Sequence, residues 1–377
     1  MVSGLMSKIN KSIIVLRTSI PELSSMKQKS CDAIVAILGL HYSDVDSVVV
    51  NSLQDLKDVV ALKPDLVFLG LKHLLVKDES NKDITKKVWV SKYLDEFGIN
   101  YVGSGSDAIK LDYDKPASKK VVLKSGLKTP SYFVANKDQY SDAKSLPISL
   151  PLFVKPPSTG SGEGIGPESV VRTFESFKKQ VLYVNDNFNT DAMVETYLTG
   201  REFSVAVFES SVAGMLISMP IELVTEKNKN GDRILGKVVK NEDNESVIEV
   251  KDGTIKDAVK KLAEQVFVSL NARDYGRIDI RLDSNNIPHF LEANLVPGFA
   301  HTGYFCRAWK MNQNLNYEEM VLYAIELGLR RNGVTVVDDN YDAKILSLAA
   351  EAALLPTSSK NVAISASKYN QITLYKG

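Results

Sequence analysis

The first hundred residues alternate short apolar runs with amphipathic segments. Apolar runs of this length predict strands buried on both faces of a sheet, and they lie at residues 11–16, 46–50, 65–70 and 100–102. Apolar residues recur at helical spacing over residues 27–38 and 87–97, which predicts two helices. Strands that alternate with helices indicate a parallel sheet. The pattern therefore predicts a βαβ-type domain over residues 1–103.

From Asp107 onwards the pattern of apolar runs and amphipathic segments changes. A helix is predicted over residues 115–124, with Pro116 in its first turn and Gly126 just past its end. Further helices are predicted within 169–184 and over 255–270, 317–329 and 345–355. Further strands are predicted at 131–135, 152–155, 192–197, 202–208 and 214–219. We expect a central domain at 104–198, a third domain at 199–335 and an extension at 336–377 without an assigned role.

The segment 277–299 predicts a β-hairpin whose register alone builds a site. Asn285-Asn286 suits a two-residue turn, because Asn tolerates positive φ. Folding there places the pairs Asp279–Glu292, Arg277–Asn294 and Arg281–Phe290 on one face, and the apolar pairs Ile278–Ala293 and Ile280–Leu291 on the other. Two facing carboxylates repel each other, and a divalent cation such as Mg²⁺ relieves the repulsion. A hairpin with a solvated charged face would show the same pattern.

Two further segments carry candidate nucleotide chemistry. Lys155 ends an apolar strand and opens a loop with four glycines at residues 156–166, where backbone N–H groups can approach phosphate closely. A flexible Gly/Ser linker is the alternative. Glu195 and Glu202 flank a strand break, and carboxylates there can accept hydrogen bonds from an adenine amino group or from ribose hydroxyls. Neither segment by itself is enough to identify a nucleotide-binding site.

In order and spacing, these segments resemble the ATP-grasp superfamily, and specifically the D-alanine–D-alanine ligase family. The resemblance runs from about Tyr101 to Leu329. It rests on YVGSGSDAIKLDYDK, VKPPSTGSG, GREFSVAVF, RID…DSNNIPHFLEANLVPGF and the closing NYEEMVLYAIELGL. It implies an ATP-grasp fold of mixed α/β (α+β) class, preceded by a βαβ pre-ATP-grasp domain.

The resemblance implies an ATP site. Lys115 and Lys155 are expected on the ATP phosphates, Glu195 on the adenine and Glu202 on the ribose. The other expected contacts are the backbone near Tyr197 and Leu198 at the adenine edge, Ser161 in the glycine loop, and Lys240 at the γ-phosphate.

The resemblance also implies metal ligands and catalytic groups. Asp279, Glu292 and Asn294 are expected to bind two Mg²⁺ ions, with Mn²⁺ as an alternative. Arg277 and the N–H of Gly298 are expected to stabilise a tetrahedral oxyanion, with Lys240 as a third catalytic residue. The implied reaction phosphorylates a carboxylate with ATP, and an amine then attacks the acyl phosphate.

The amino-acid-binding half departs from the family pattern, as the segments VLRTSIPELSSMKQKS and FAHTGYFCRAW show. We therefore predict a ligase that joins two amino acids, or an amino acid and another small amine. Genuine D-alanine–D-alanine ligation, a kinase-like reaction and a non-catalytic nucleotide-binding module are the alternatives. The polar segment 225–236 is expected to act as a mobile lid. The aromatic residues that either line a bulkier substrate pocket or pack as core are Tyr304, Phe305 and Trp309.

Composition narrows the class further. Lys+Arg and Asp+Glu both number 46, so the net charge is zero and nothing calls for nucleic acid or a membrane surface. Two cysteines argue against a disulfide scaffold. No apolar run approaches the roughly 20 residues of a membrane span, and the N-terminus has no signal-peptide pattern. We expect a cytoplasmic protein with small-molecule carboxylate and amine partners, a homodimer by family analogy, and a solvated helix face at Lys119-Lys120.

Overall fold

The structure, a computed structural model, describes residues 8–77, 85–160, 162–210 and 214–331. In chain order the strands are β1 (Ile9–Arg17), β2 (Tyr42–Val49), β3 (Leu66–Phe68), β4 (His73–Lys77), β5 (Thr85–Trp89), β6 (Tyr101–Val102), β7 (Tyr132–Ala135), β8 (Leu152–Lys155), β9 (Val170–Val171), β10 (Ala192–Thr196), β11 (Glu202–Glu209), β12 (Leu216–Val224), β13 (Ser246–Glu249), β14 (Tyr275–Leu282) and β15 (Pro288–Asn294). The helices are α1 (Gln28–His41), α2 (Leu53–Ala61), α3 (Val90–Glu96), α4 (Ser106–Tyr113), α5 (Lys115–Lys124), α6 (Phe174–Phe188), α7 (Lys237–Glu242), α8 (Gly253–Ser269), α9 (Tyr304–Gln313) and α10 (Tyr317–Arg330).

The N-terminal region forms the predicted parallel sheet, with strand order β2-β1-β3-β6. Strand β1 is central, and Ile13 and Val15 within it are fully buried. The helix predicted over residues 87–97 is wrong in its first part. Lys87 and Val88 pair antiparallel with Leu75 and Leu74 in a β4–β5 hairpin, and the helix begins only at Val90.

A second, antiparallel sheet has the order β7-β10-β8-β9 and is covered by α6. Helix α5 precedes it with the predicted bounds, residues 115–124. Its start is specified locally, because the Asp114 side chain accepts a hydrogen bond from the Ala117 N–H and Pro116 occupies the first turn. Its end is also local, since Gly126 takes a φ of 74°.

The third sheet is antiparallel, with order β13-β12-β11-β14-β15. Helix α8 packs on one face and forms a core in which Phe203, Ile278, Ile280 and Phe290 are fully buried. The opposite face of β11, β14 and β15 is left for polar side chains. None of the described helices is long and apolar enough to cross a membrane. The helix predicted over residues 345–355 lies outside the described residues.

Candidate active site on the β14–β15 hairpin

The hairpin pairs its polar residues as the sequence predicts. Arg277 lies opposite Asn294, Ile278 opposite Ala293, and Asp279 opposite Glu292. Because side chains alternate across a strand, the acids share the face opposite to Ile278. The structure therefore brings two carboxylates, an amide and a guanidinium together.

The register nearer the turn differs from the prediction in two places. The loop has three residues, since Asp283 N–H donates to Ile287 O at 3.0 Å and Asn286 takes a φ of 60°. This shift pairs Arg281 with His289 and Ile280 with Phe290, so the predicted pairs Arg281–Phe290 and Ile280–Leu291 are wrong.

A β-bulge then restores the predicted register. It lies between the pairs formed by Asp279 and Ile280 and leaves Leu291 as the extra residue on β15. The shift at the loop and the shift at the bulge cancel, which is why the acids still face each other. The consequence is local: Phe290 packs in the core, and Leu291 lines a cavity beside Glu292.

That cavity encloses about 640 Å³ when the space open to solvent at its mouth is included. It collects most of the predicted nucleotide and metal residues, together with an apolar lining. The polar lining residues include Lys155, Glu195, Glu202, Lys240, Asp279, Arg281 and Glu292. The apolar and aromatic lining includes Phe153, Ile165, Tyr197, Leu198, Ile234, Leu235 and Leu291. A cavity that combines an aromatic and aliphatic lining with several charged groups suits a base attached to an anionic group.

Lys155 and Glu195 lie on adjacent strands, β8 and β10, and both line this cavity. Lys155 Nζ lies 2.8 Å from Glu195 Oε2, and both residues are buried. The other oxygen, Oε1, lies 2.7 Å from the ammonium of Lys119. Burial alone would raise the pKa of Glu195, but the two lysines outweigh it and lower that pKa. Glu195 is therefore an ionised carboxylate shared by two cations.

The burial of Lys119 contradicts the predicted solvated helix face. Lys119 is fully buried, whereas its neighbour Lys120 is exposed. Its ammonium also donates to Thr129 Oγ1 at 2.7 Å and to the Phe290 carbonyl at 3.2 Å. The two lysines are adjacent in sequence, but consecutive side chains of a helix point in different directions. The sequence pair therefore does not indicate that one lysine is buried and the other exposed.

Lys115 lies one helical turn before Lys119 and reaches the hairpin. Its Nζ donates to the Thr159 carbonyl in the glycine loop at 2.5 Å and lies 3.5 Å from Glu292 Oε2. Burial lowers the pKa of Lys115, and Glu292 opposes that shift. Burial would raise the pKa of Glu292, but the surrounding cations, led by Lys115 and Lys155, hold it well below its usual range. Glu292 is therefore ionised.

Asp279 is held by its own strand and by β11. Arg277 donates two hydrogen bonds to it at 3.0 Å, and Ser204 Oγ donates a third at 2.7 Å. Further along the same face, Arg281 Nη1 donates to Glu202 Oε2 at 3.0 Å. Burial raises the pKa of Glu202, although Arg281 counters part of this shift.

The oxygen atoms at the hairpin fit a divalent cation. Asn294 Oδ1 is buried and has no hydrogen-bond partner among the described residues, and an unpaired buried oxygen is costly unless a ligand satisfies it. Within the described ranges, no group of three His, Cys, Asp or Glu side chains forms a metal site. A cation here would therefore use Asp279, Glu292, the Asn294 amide and oxygens supplied by a substrate.

Two residues of the segment predicted as a lid line the cavity. Ile234 and Leu235 line it, and Arg172 binds Asp232 through two hydrogen bonds of 3.0 and 2.6 Å. The first residue of α7, directly after this segment, contacts the glycine loop, since the N–H of Lys237 donates to Gly162 O at 3.2 Å. Gly162 has a φ of 76°, and a Cβ there would lie 2.8 Å from that same nitrogen.

The other residues that the sequence predicts for the site, where the structure describes them, do not line the cavity. Ser161 is outside the described residues. Gly298 lies against the N-terminal region, where a Cβ would be 2.4 Å from Ser25 O. Phe305 and Trp309 are 2% exposed and pack around Phe208, so they are core residues and not pocket residues.

Tyr304, at the start of α9, is the predicted aromatic residue that reaches the site. Its hydroxyl donates to Glu245 Oε1 at 2.6 Å, and its ring centroid lies 5.7 Å from the Arg277 guanidinium. Its ring therefore lies beside Arg277.

Comparison with known protein families identifies the family of this chain. The family model for the D-ala D-ala ligase C-terminus matches residues 121–326, which is more than half of the chain. The match includes the hairpin and the glycine loop and begins inside α5. The chain has the ATP-grasp fold and is an ATP-dependent ligase that forms a carbon–nitrogen bond. It belongs to the D-alanine–D-alanine ligase family.

Curated relatives of this chain carry the same family name, at modest sequence identity. The D-alanine–D-alanine ligase of Hydrogenovibrio crunogenus is 28% identical over 246 residues, covering 64% of this chain and 73% of the relative. The Bordetella petrii enzyme of that name is 31% identical over 207 residues, covering 54% of this chain and 61% of the relative.

Solved structures agree in fold. The D-alanine–D-alanine ligase of Bacillus anthracis, complexed with ATP, aligns with a TM-score of 0.64 at 23% identity and covers 85% of this chain and 98% of its own. The D-alanine–D-alanine ligase of Coxiella burnetii aligns with a TM-score of 0.62 at 16% identity and covers 92% of this chain and 100% of its own.

Proposed function

We propose that this enzyme uses ATP to activate the carboxylate of one small substrate, an amino acid, and joins it to the amine of a second. One observation carries the proposal: aromatic and aliphatic side chains, two buried lysines and the acidic hairpin meet at a single cavity. Family membership supplies the reaction class, and this arrangement supports the roles of the individual residues.

The nucleotide is proposed to lie along the cavity with its base in the apolar part. Tyr197 stacks on Phe153 with a ring separation of 6.3 Å and an interplanar angle of 14°, which makes a flat wall. Leu198 and Glu195 border the base, and Glu202 is proposed on the ribose. Lys155 and Lys115 lie towards the hairpin, where phosphates would meet their ammonium groups.

Lys240 and Ser161 are proposed as further phosphate contacts. Lys240 lies on α7, which follows the segment over the cavity, and its side chain is half-buried at the cavity wall. With the segment 225–236 closed, water would be excluded from a reactive acyl phosphate. We therefore retain the lid function as part of the proposal.

Asp279, Glu292 and Asn294 are proposed to hold Mg²⁺, two ions by analogy with the family, with Mn²⁺ as a substitute. When bound, the metal would neutralise charge on the transferring phosphoryl group. The ionised state of Glu292 and the unpaired oxygen of Asn294 support this assignment. Asp279 is already oriented by Arg277 and Ser204, so its carboxylate is preorganised on the cavity side.

Arg277 and the Gly298 N–H are proposed to stabilise the oxyanion formed when the amine attacks. Arg277 is half-buried and charged, and preorganised donors of this kind contribute strongly in a site from which water is excluded. The loop beyond Gly298 leads to α9, which begins at Tyr304, so the amine substrate would approach beside this ring. The predicted homodimer stays a prediction.

The test is phosphate release from ATP with Mg²⁺ across amino acids, offered singly and in pairs, with mass spectrometry of the products. Phosphate release that requires both a carboxylate and an amine, with a condensed product, is the expected result. Release with one substrate and a phosphorylated product would favour the kinase-like alternative. A dipeptide from D-alanine alone would establish genuine D-alanine–D-alanine ligation. No turnover with any pair, under conditions where ATP binds, would contradict the proposal.

A further inference from the structure

Lys119 is a buried cation that none of the proposed roles uses. It is 0% exposed, and its ammonium contacts Glu195, Thr129 and the Phe290 carbonyl. These partners belong to β10, the loop before β7, and β15, which all border the cavity. Burial lowers the pKa of Lys119 to about 8, and Glu195 is the main opposing influence.

The geometry divides the Glu195 carboxylate between two lysines. Oε1 lies 2.7 Å from Lys119 and Oε2 lies 2.8 Å from Lys155. Two cations against one anion leave a net positive charge, and Lys155 is the lysine of the two that lines the cavity. An ammonium has three N–H donors, so one bond to Glu195 leaves Lys155 with donors for another anion.

Taking this together, we infer that Lys119 is a positioning residue for phosphate binding. By occupying one oxygen of Glu195, it stops that carboxylate from fully neutralising Lys155, which keeps the charge and orientation of Lys155 available to ATP. This inference rests on the proposed ATP site.

Packing alone does not account for this lysine. Its surroundings include the Phe290 ring, 5.6 Å from the ammonium, and an apolar side chain of similar length would fill the space without the desolvation penalty of a buried charge. A lysine is better explained by its electrostatic effect on Glu195. Removing it should therefore alter anion binding more than it alters the fold.

The experiment measures ATP and adenosine affinities by titration calorimetry with Mg²⁺ for the full chain, Lys119→Met and the milder Lys119→Gln. The exposed neighbour gives the matched control, Lys120→Met. We expect Lys119→Met to weaken ATP binding by at least about tenfold, while adenosine binding changes by less than about threefold. Lys119→Gln should show the same selectivity even where the methionine variant folds poorly, and Lys120→Met should bind like the wild type.

A double variant separates electrostatics from structural damage. In Lys119→Met, adding Glu195→Gln removes the charge that would bind Lys155, so ATP affinity should rise relative to the single variant. Parallel losses of ATP and adenosine affinity, unchanged affinity, or a double variant no better than the single one would each overturn the inference. Wild-type protein that binds adenosine but not ATP, or neither, would instead overturn the proposed function on which the inference rests.

Discussion

Arg277 and Asp279 form a bidentate ion pair, with Nε–Oδ1 and Nη2–Oδ2 distances of 3.0 Å. They lie two residues apart on β14, so both side chains leave the same face of the sheet. Paired charge-assisted hydrogen bonds fix orientation as well as distance. The proposed oxyanion-stabilising arginine and the proposed metal ligand therefore position each other, and a change in one is felt at the other.

Glu292→Gln should remove most turnover. The amide keeps the shape but not the negative charge that balances Lys115 and the proposed metal. We expect kcat to fall by at least about a hundredfold, with a smaller change in ATP affinity. The measurement is phosphate release as a function of Mg²⁺ concentration, combined with direct ATP titration.

The control is Glu249→Gln, the same substitution at an exposed position on β13 of the same sheet. It should leave turnover unchanged. Near-normal activity of the Glu292 variant would remove Glu292 from the proposed metal site.

Arg277→Ala should slow the chemical step while ATP still binds. Loss of one preorganised oxyanion donor lowers kcat by about a hundredfold or more. Single-turnover product formation would be compared with the ATP dissociation constant of the same variant. A large loss of ATP affinity with an unchanged chemical step would assign Arg277 to nucleotide binding.

Gly298→Ala should destabilise the protein and reduce activity. The new Cβ would lie 2.4 Å from Ser25 O, a backbone atom that cannot swing aside, so the two segments must separate. Overpacking of this kind costs about 1–3 kcal/mol, to be measured by urea unfolding. Gly253→Ala is the matched control, because a Cβ there meets nothing within 4 Å; equal stabilities of the two variants would contradict the close contact.

His73 should make stability depend on pH. Burial, followed by Lys87 and Lys72, lowers its pKa from 6.5 to about 4. Between these values the unfolded chain binds a proton that the native state excludes, so the free energy of unfolding falls as pH decreases through this window and then levels off.

His73→Phe should remove that part of the pH dependence, because phenylalanine does not titrate and can pack between Trp89 and Tyr113, whose rings lie 5.1 and 5.2 Å away. Unfolding free energies from urea titrations above and below the window would be compared for both proteins. The same pH slope in the variant would exclude His73 as its source.

The hairpin shows which features of the site the local sequence pattern can predict and which it cannot. Alternation along residues 277–282 is enough to place Arg277, Asp279 and Arg281 on one face, and the structure confirms it. The loop length and the bulge at Leu291 were missed, because several turns suit the sequence Asp283–Ile287 and a bulge depends on packing against neighbouring strands. The predicted pairing of the acids is right because the two shifts cancel.

Helix α5 also combines features that the sequence predicts with one, the burial of Lys119, that it does not. Asp114, Pro116 and Gly126 specify its ends through contacts within a few residues, and the predicted bounds are confirmed. Lys119 was expected in solvent, since a lysine pair on an amphipathic helix usually is. Its burial depends on Glu195 and Phe290, residues remote in sequence that only the folded sheets bring to it.

The sequence by itself determined the alternation of strands and helices in the parallel sheet, the ends of α5, the polar face of the hairpin and the lysine that leads into the glycine loop. Each of these depends on neighbouring residues and on the periods of strand and helix. Tertiary structure alone decided that Lys119 and Lys155 share Glu195, that Ser204 supports Asp279, and that Phe305 and Trp309 are core. These contacts join segments far apart in the chain, and their geometry follows from how the sheets and helices pack.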